Sequence, residues 1–137
     1  MASKVILIMG LSGTGKSSLA KPLAEMLDAT YLNADDIRSK AQDWDFSPEG
    51  RNRQALRMRN LADKAKGVVV LDFICPLPEH RGIVKADYTI WVNTKSTSKY
   101  SDTDTLFVPP KYYNKAIEKM STKNIVSMYN AINKEIH

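Results

Sequence analysis

Three glycines and a lysine at fixed spacing form a phosphate-binding pattern near the start of the chain. The segment Gly10–Ser17 fits G-x-x-x-x-G-K-[ST], with the apolar run Val5–Met9 before it and a helix-compatible segment after it. Glycine permits the tight turn that points consecutive amides at an anion, and a helix starting near Lys16 adds the positive end of its dipole. Lys16 is predicted to reach the β and γ phosphates, while the Ser17 hydroxyl binds the Mg²⁺ that bridges them.

The loop and the first helical residues after it form the predicted ATP-binding set. A glycine-rich turn before an ordinary core helix is the alternative interpretation. The phosphate-binding interpretation is favoured because a strand, the loop and a helix follow one another in the order that the motif requires. The predicted ATP-binding residues are Gly10, Leu11, Ser12, Gly13, Thr14, Gly15, Lys16, Ser17 and Ser18.

Two carboxylates follow apolar segments and are predicted to lie beside this loop. Asp72 comes directly after Val68–Leu71, the position from which a second acid holds Mg²⁺ in loop-based phosphotransferases; its alternative role is to cap the next turn. Asp35 is predicted to accept the proton of an acceptor hydroxyl, with a helix cap as the alternative. Arg38 could pair its planar guanidinium with a substrate phosphate. The predicted catalytic residues are therefore Lys16 and Asp35, and the predicted metal ligands are Ser17 and Asp72.

A basic helix is predicted in the middle of the chain. Ser47 supplies a capping hydroxyl and Pro48 suits the first helical position, so the helix should start there and run to about Lys66. Its core-facing residues are predicted to include Leu56, Leu61, Ala62 and Ala65. Its other surface carries Arg51, Arg53, Arg57 and Arg59, and plain solvation is an equally good explanation for Arg53 and Arg59.

The alternation of strands and helices predicts an α/β fold of three layers. It consists of a central parallel sheet of four to five strands with helices on both faces and a ligand at the carboxyl ends of the strands. Pro22 is predicted to kink the first helix. The predicted strands are Val5–Met9, Ala29–Asn33, Val68–Leu71 and Tyr88–Val92; the predicted helices are Lys16–Leu27, Ser47–Lys66, Glu79–Lys85 and Ser121–Ile136; Ser39–Phe46 is predicted as a loop, Asn93–Thr105 as an exposed mobile segment, and Lys111–Met120 receives no assignment.

Length, charge and cysteine content restrict the class of protein. The chain of 137 residues is predicted to be one domain, 1–137. The net charge of +5 makes anionic ligands natural partners. The single cysteine, Cys75, excludes an internal disulfide and is consistent with a reducing compartment. No segment is long and apolar enough for a membrane span, so a cytoplasmic protein is expected. His80 is predicted to be a surface histidine.

Together these segments resemble the adenylylsulfate kinase family, whose members phosphorylate the 3′-hydroxyl of adenosine 5′-phosphosulfate. The family's Gly-Leu-Ser-Gly-x-Gly-Lys-Ser loop is present from Gly10 to Ser17, and its Asp-Gly-Asp-Asn-Val-Arg segment is similar to Asn33–Arg38. More specific matches are Phe46-Ser47 before an arginine-rich helix, and Phe73–Pro76 followed by Arg81. The similar stretches cover about two-thirds of the chain.

The resemblance implies that the three-layer α/β fold is of the P-loop kinase type, and it also implies an activity, cofactors and an acceptor pocket. The implied activity is transfer of the γ-phosphoryl group of ATP, with Mg²⁺, to the acceptor nucleotide, with Asp35 handling its hydroxyl. The implied acceptor-binding residues are Asp35, Arg38, Phe46, Arg51, Gln54, Ile74 and Phe107. The expected partner is a nucleotide substrate, and no membrane partner is expected. The expectation also allows a homodimer.

Several positions depart from the family pattern. The lid after the fourth predicted strand is shortened to about Thr94–Asp104, with only Lys95 and Lys99 to meet ATP phosphates. Where the family has an asparagine, a small residue and an arginine, this chain has Gln54, Asp72 and Pro78.

Two other functions fit the same residues. A polynucleotide 5′-hydroxyl kinase, or another small P-loop kinase, would also use an aspartate and an arginine after the second strand together with a basic helix, and it would bind nucleic acid. A non-catalytic nucleotide-binding module would retain the phosphate loop and tolerate the shortened lid.

Overall fold

Five parallel strands form the centre of the molecule, in the spatial order β2-β3-β1-β4-β5. The computed structural model describes residues 3–95 and 101–136. The strands are β1 (Lys4–Met9), β2 (Thr30–Asn33), β3 (Val68–Asp72), β4 (Tyr88–Val92) and β5 (Lys115–Ile117). The central strand β1 is apolar throughout Val5–Met9, and each of these residues is at most 1% exposed, because helices cover both faces of the sheet.

Within the described residues, six helices pack on the two faces of this sheet. They are α1 (Lys16–Leu27), α2 (Ala34–Ala41), α3 (Pro48–Ala65), α4 (Pro78–Val84), α5 (Ser101–Leu106) and α6 (Thr122–Ile136). Val5 and Leu7 of β1 contribute to the core under α2, α3 and α4. Ile6 and Ile8 point to the opposite face and contribute to the core under α1 and α6. The predicted three-layer α/β architecture is therefore confirmed.

Side-chain caps fix where two of the helices begin. The Ser47 hydroxyl accepts a hydrogen bond from the Gly50 amide at 3.1 Å, and Pro48 occupies the first turn of α3, as predicted. At the start of α2, the Asn33 side chain accepts from the Asp36 amide at 3.0 Å. Asn33, rather than Asp35 or Asp36, therefore caps α2, so the Asp35 carboxylate is not used as the cap.

The structure differs from the sequence-based expectation in four places. Residues 39–41 belong to α2 and not to a loop. The short strand β5 lies in the segment that received no assignment, and α5 occupies part of the segment predicted to be mobile. Leu56 is 53% exposed and does not face the core, because the buried stripe of α3 is formed by Ala55, Met58 and Ala62. Helix α1 has the predicted bounds and contains Pro22, and the predicted kink or loosening at Pro22 stays a prediction. Among the described residues, no helix combines the length and apolar character needed to cross a bilayer.

Candidate active site

The phosphate loop, Gly10–Ser17, connects β1 to α1 at the carboxyl edge of the sheet. Gly10 has φ 149° and touches β4 so closely that an added Cβ would lie 2.3 Å from the Val92 carbonyl oxygen. The backbone can therefore follow this path only with glycine at that position. The Leu19 amide donates to the Gly15 carbonyl at 3.2 Å, so the helical hydrogen bonding of α1 begins there. The amides that precede Leu19 in α1 have no helical acceptor and are available to an anion.

Lys16 is buried at the end of this loop. Its side chain is 8% exposed, and its Nζ donates to the Leu11 carbonyl at 2.9 Å. Burial lowers the pKa of Lys16, while the charges of Asp72 and Asp35 oppose that shift. The ammonium group therefore lies within the electrostatic reach of both predicted acids, between the donor and acceptor ends of the site.

Asp72 is the centre of a small hydrogen-bonded cluster at the end of β3. Its Oδ2 accepts from the Ser17 hydroxyl at 2.6 Å, the Tyr31 hydroxyl at 2.6 Å and the Asn33 amide at 3.1 Å. Burial and the hydrogen bond to Asp72 raise the pKa of Tyr31. Tyr31 and Asn33 are not among the residues predicted for the site from the sequence. The signal that could have found them is strand register, because Asn33 pairs directly with Asp72 across β2 and β3.

The residues at this position fit a magnesium ion. Mg²⁺ prefers oxygen ligands and is usually held by one or two carboxylates together with substrate phosphates, not by an all-protein cage. Ser17 and Asp72 present a hydroxyl and a carboxylate next to the phosphate loop. Among the described residues, no group of three or more histidine, cysteine or acidic side chains forms a metal cage of its own. The pair is therefore suited to a metal that arrives with a nucleotide.

Arg38, Phe46 and Arg51, three of the residues predicted to bind the acceptor, lie together, and we call them the acceptor cluster. The guanidinium carbons of Arg38 and Arg51 lie 4.4 and 5.3 Å from the centre of the Phe46 ring. Arg38 is only 5% exposed, and its Nη1 donates to the carbonyls of Asp43 and Asp45. Burial lowers the pKa of Arg38, mainly by desolvation. Phe46 is 51% exposed, so about half of its side chain remains accessible to a ligand.

One cavity of about 290 Å³ joins the phosphate loop to the acceptor cluster. Asp35, Asp72 and Ile74 line the same cavity, together with Phe73, Pro76 and His80. The structure thus brings together Lys16, Ser17, Asp35, Arg38, Phe46, Arg51, Asp72 and Ile74 from the predicted set.

Two predicted acceptor-binding residues do not line this cavity. Gln54 is fully buried, and both polar atoms of its side chain are hydrogen-bonded: Nε2 donates to the Ala34 carbonyl at 2.9 Å and Oε1 accepts from Arg57. Phe107 follows α5 and lines a separate cavity of about 260 Å³, to which Leu11 of the phosphate loop also contributes. Gln54 therefore holds α2 against α3, and Phe107 is placed beside the phosphate loop and away from the acceptor cluster.

His80 is buried in the cavity wall, and its prediction as a surface residue is wrong. It is 1% exposed, because the first turn of α4 packs under α3. A single histidine in a proline-rich segment gives no periodic signal, so sequence patterns could not have identified it.

The shortened lid begins beside the phosphate loop. The Thr94 hydroxyl donates to the Thr14 carbonyl at 2.6 Å, and the Lys95 ammonium lies 4.0 Å from the position that a Cβ on Gly13 would occupy. Lys99, the other predicted lid lysine, lies outside the described residues. Beyond the lid, Arg81 donates to the carbonyls of Cys75, Pro76 and Val108, so it fastens the returning chain to the cavity wall.

Comparison with known proteins agrees with this architecture. The family model described as adenylylsulphate kinase matches residues 2–105. The structure of the Mycobacterium tuberculosis APS kinase CysC in complex with AMPPNP and APS superposes with a TM-score of 0.73 at 20% identity, covering 97% of this chain and 96% of that one. A hexameric APS kinase from Thiobacillus denitrificans superposes with a TM-score of 0.71 at 19% identity, covering 98% of this chain and 29% of that one.

A shorter match connects the chain to a sugar-acid kinase. It is 49% identical over 39 residues to a gluconokinase from Arabidopsis thaliana, which is 28% of this chain and 21% of the gluconokinase. The matched stretch spans about a fifth of that relative. The solved structures show a nucleotide-binding P-loop kinase fold, and the family model spans most of the sequence, so this chain belongs to the adenylylsulfate kinase family.

Proposed function

We propose that this protein transfers the γ-phosphoryl group of ATP to the 3′-hydroxyl of adenosine 5′-phosphosulfate. The observation that carries the proposal is one cavity in which the phosphate loop, the Asp35 carboxylate and the acceptor cluster all meet. The family model supports the same acceptor, while the short gluconokinase match makes a sugar acid the relevant comparison substrate.

The phosphate loop carries out the donor half of the reaction. Its free amides and the positive end of α1 hold the β and γ phosphates, and Lys16 turns from the Leu11 carbonyl toward them. A buried ammonium stabilises developing phosphate charge more strongly than an exposed one, because less water screens it. Ser17 and Asp72 would hold Mg²⁺, which supplies neutralisation of phosphate charge when bound.

Asp35 and the acceptor cluster carry out the other half. Phe46 offers its half-exposed ring to the acceptor base, while Arg38 and Arg51 supply positive charge to the acceptor's anionic group. The acceptor oxygen forms a bond to the γ phosphorus as the bond to ADP breaks. Its proton passes to the Asp35 carboxylate, so charge and atoms balance.

The test is a measurement of ADP formation with Mg²⁺ and four additions: adenosine 5′-phosphosulfate, a 5′-hydroxyl oligonucleotide, gluconate, and no acceptor. Stimulation by the phosphosulfate alone is expected. Stimulation only by the oligonucleotide or by gluconate would replace this acceptor with the other one, and ATP binding without turnover on any acceptor would indicate a non-catalytic module.

Asp35→Asn tests the role of the carboxylate as the base. With the productive acceptor, kcat should fall about 10²-fold or more while MgATP still binds. Unchanged kcat would move the base role to another residue.

The location and the assembly state of the protein are further parts of the proposal. A cytoplasmic enzyme fits an ATP donor and a single buried thiol at Cys75. The homodimer stays a prediction, and sedimentation of the purified chain tests it.

A further inference from the structure

His80 has an unsatisfied hydrogen-bonding group in the wall of the active-site cavity. The side chain is 1% exposed, and its Nε2 has no hydrogen-bond partner among the described residues. An unsatisfied polar group in a protein interior costs about 1–3 kcal/mol, so such groups are rare unless something else satisfies them. His80 is one of the residues that line the cavity, although Nε2 itself is buried, so a bound molecule reaches this atom once the ring or the cavity wall shifts slightly on binding.

The other ring nitrogen defines which hydrogen-bonding role Nε2 has. The Leu77 amide donates to Nδ1 of His80 at 3.3 Å, at the start of α4. An imidazole nitrogen that accepts a hydrogen bond carries no proton, so the proton of the neutral ring is on Nε2. Burial lowers the pKa of His80, which keeps the ring neutral. The unsatisfied group is therefore an N–H donor, and its partner must be an acceptor atom.

The surroundings of His80 indicate which part of a ligand it meets. Ile74 and Pro76 line the same cavity and have no polar side-chain atoms, while Phe46, which also lines it, is half exposed. A flat base stacked on Phe46 turns its edge, and not its face, toward the cavity walls. Ring nitrogens and carbonyl oxygens on that edge are hydrogen-bond acceptors, so an N–H in the part of the wall that contains Ile74 and Pro76 selects for one of them.

We propose that His80 is a specificity-determining residue that donates its Nε2–H to an acceptor atom on the edge of the acceptor nucleotide's base. The inference rests on the proposed function, because it requires a nucleotide as the acceptor. It predicts that a ring without a lone pair at that edge is rejected, since the buried N–H would again be left without a partner.

Two substitutions separate recognition of the ligand from support of α4. In His80→Asn the side-chain oxygen can replace Nδ1 and keep the bond from Leu77, but the amide nitrogen falls short of the Nε2 position. In His80→Gln the amide nitrogen comes close to the Nε2 position, while the acceptor for the Leu77 amide is lost. Glu79→Gln serves as the matched control, because Glu79 is an exposed neighbour on the same helix.

The expected result is a change in the KM for the acceptor. With adenosine 5′-phosphosulfate, His80→Asn should raise this KM by about 10-fold, the equivalent of one hydrogen bond, with the KM for MgATP unchanged. His80→Gln should restore most of the loss, and Glu79→Gln should match the wild type. A purely structural role gives the opposite order, in which Asn is tolerated and Gln is harmful, and that order would overturn the proposal. Equal KM values in all variants would overturn it too.

A measurement on the unmodified chain keeps the inference independent of turnover. The sequence contains two histidines, so ¹⁵N spectra of the wild type and of His137→Gln assign the His80 ring signals. Addition of adenosine 5′-phosphosulfate should shift the Nε2–H signal, and MgATP alone should not. Turnover of this acceptor without the shift refutes the role of His80 and leaves the proposed function intact. The shift without turnover refutes the proposed function and leaves the role of His80 intact, and absence of both refutes both.

Discussion

Gly50 lies where the first turn of α3 touches the loop that carries Phe46. An added Cβ on Gly50 would lie 2.2 Å from the Asp45 carbonyl oxygen and 2.7 Å from its carbonyl carbon, whereas ordinary contacts begin at 3.4 Å. Both of these neighbours are backbone atoms, so no side chain can rotate away. In Gly50→Ala the loop must therefore move by about 1 Å, and Phe46 and the carbonyls that hold Arg38 must move with it.

The displacement should affect the acceptor half of the site and the stability of the fold. A shift of about 1 Å in a positioning element costs about 10²-fold in rate, so kcat/KM for the acceptor should fall by about that factor. Overpacking of this kind costs roughly 1–3 kcal/mol, equivalent to a fall in Tm of about 3–12 °C for a chain of this size. The KM for MgATP should be unchanged, because the phosphate loop lies on another element.

The assay compares Gly50→Ala with Gly82→Ala, in which the new methyl group meets nothing within 4 Å. Steady-state kinetics with each substrate varied give kcat, the KM for the acceptor and the KM for MgATP, and thermal unfolding gives Tm. Gly82→Ala should match the wild type or unfold at a slightly higher temperature, since alanine favours a helix. If Gly50→Ala has the kinetics and Tm of Gly82→Ala, the loop is not held by this contact and the reasoning is refuted.

Three further predictions follow from charges and burial. Lys16→Met should lower kcat about 10²- to 10³-fold with little change in Tm, because the buried ammonium is costly to desolvate; a large loss of Tm with retained kcat would contradict this role. Hydrogen bonds from Arg53 and Arg57 hold the pKa of Asp43 well below its ordinary value of 3.8. The stabilisation of the fold by these bonds should therefore be lost as the pH falls below about 4. Asp43→Asn should have a lower Tm than the wild type at neutral pH, and its Tm should depend less on pH in acid. Burial raises the pKa of Cys75 to about 12, so its thiol should resist a chromogenic disulfide at pH 8 until the chain is unfolded, and rapid labelling of the native protein would show that the site opens.

Sequence patterns predicted the fold where single elements carry strong signals. The apolar runs of β1 and β3, the phosphate-loop pattern and the capped start of α3 each depend on neighbouring residues only, so they can be recognised locally. Helix α2 was missed because two of its three buried residues give no apolar periodicity: Ala34 is small, and Arg38 is charged yet 5% exposed. The burial of Arg38 depends on hydrogen bonds to carbonyls of the following loop, and no local sequence pattern reveals these bonds.

Predictions about the site divide in a similar way. The cavity collects the residues whose positions follow from the phosphate loop and from strand ends. It leaves out Gln54, whose side chain joins two helices, and Phe107, whose position depends on how the chain returns after the lid. Tyr31 and His80 were missed because their importance comes from tertiary contacts with Asp72 and with the cavity.

The hydrogen bonds to Asp72 also restrict how this chain can exchange parts with its relatives. The same carboxylate oxygen is contacted by Ser17, at the end of the phosphate loop, and by Tyr31 and Asn33, on the neighbouring strand β2. A chimaera joined between β2 and β3 takes the acid from one parent and its three donors from the other. A junction placed after residue 72 transfers the whole set together, and recombinants made there are the ones that should remain correctly assembled.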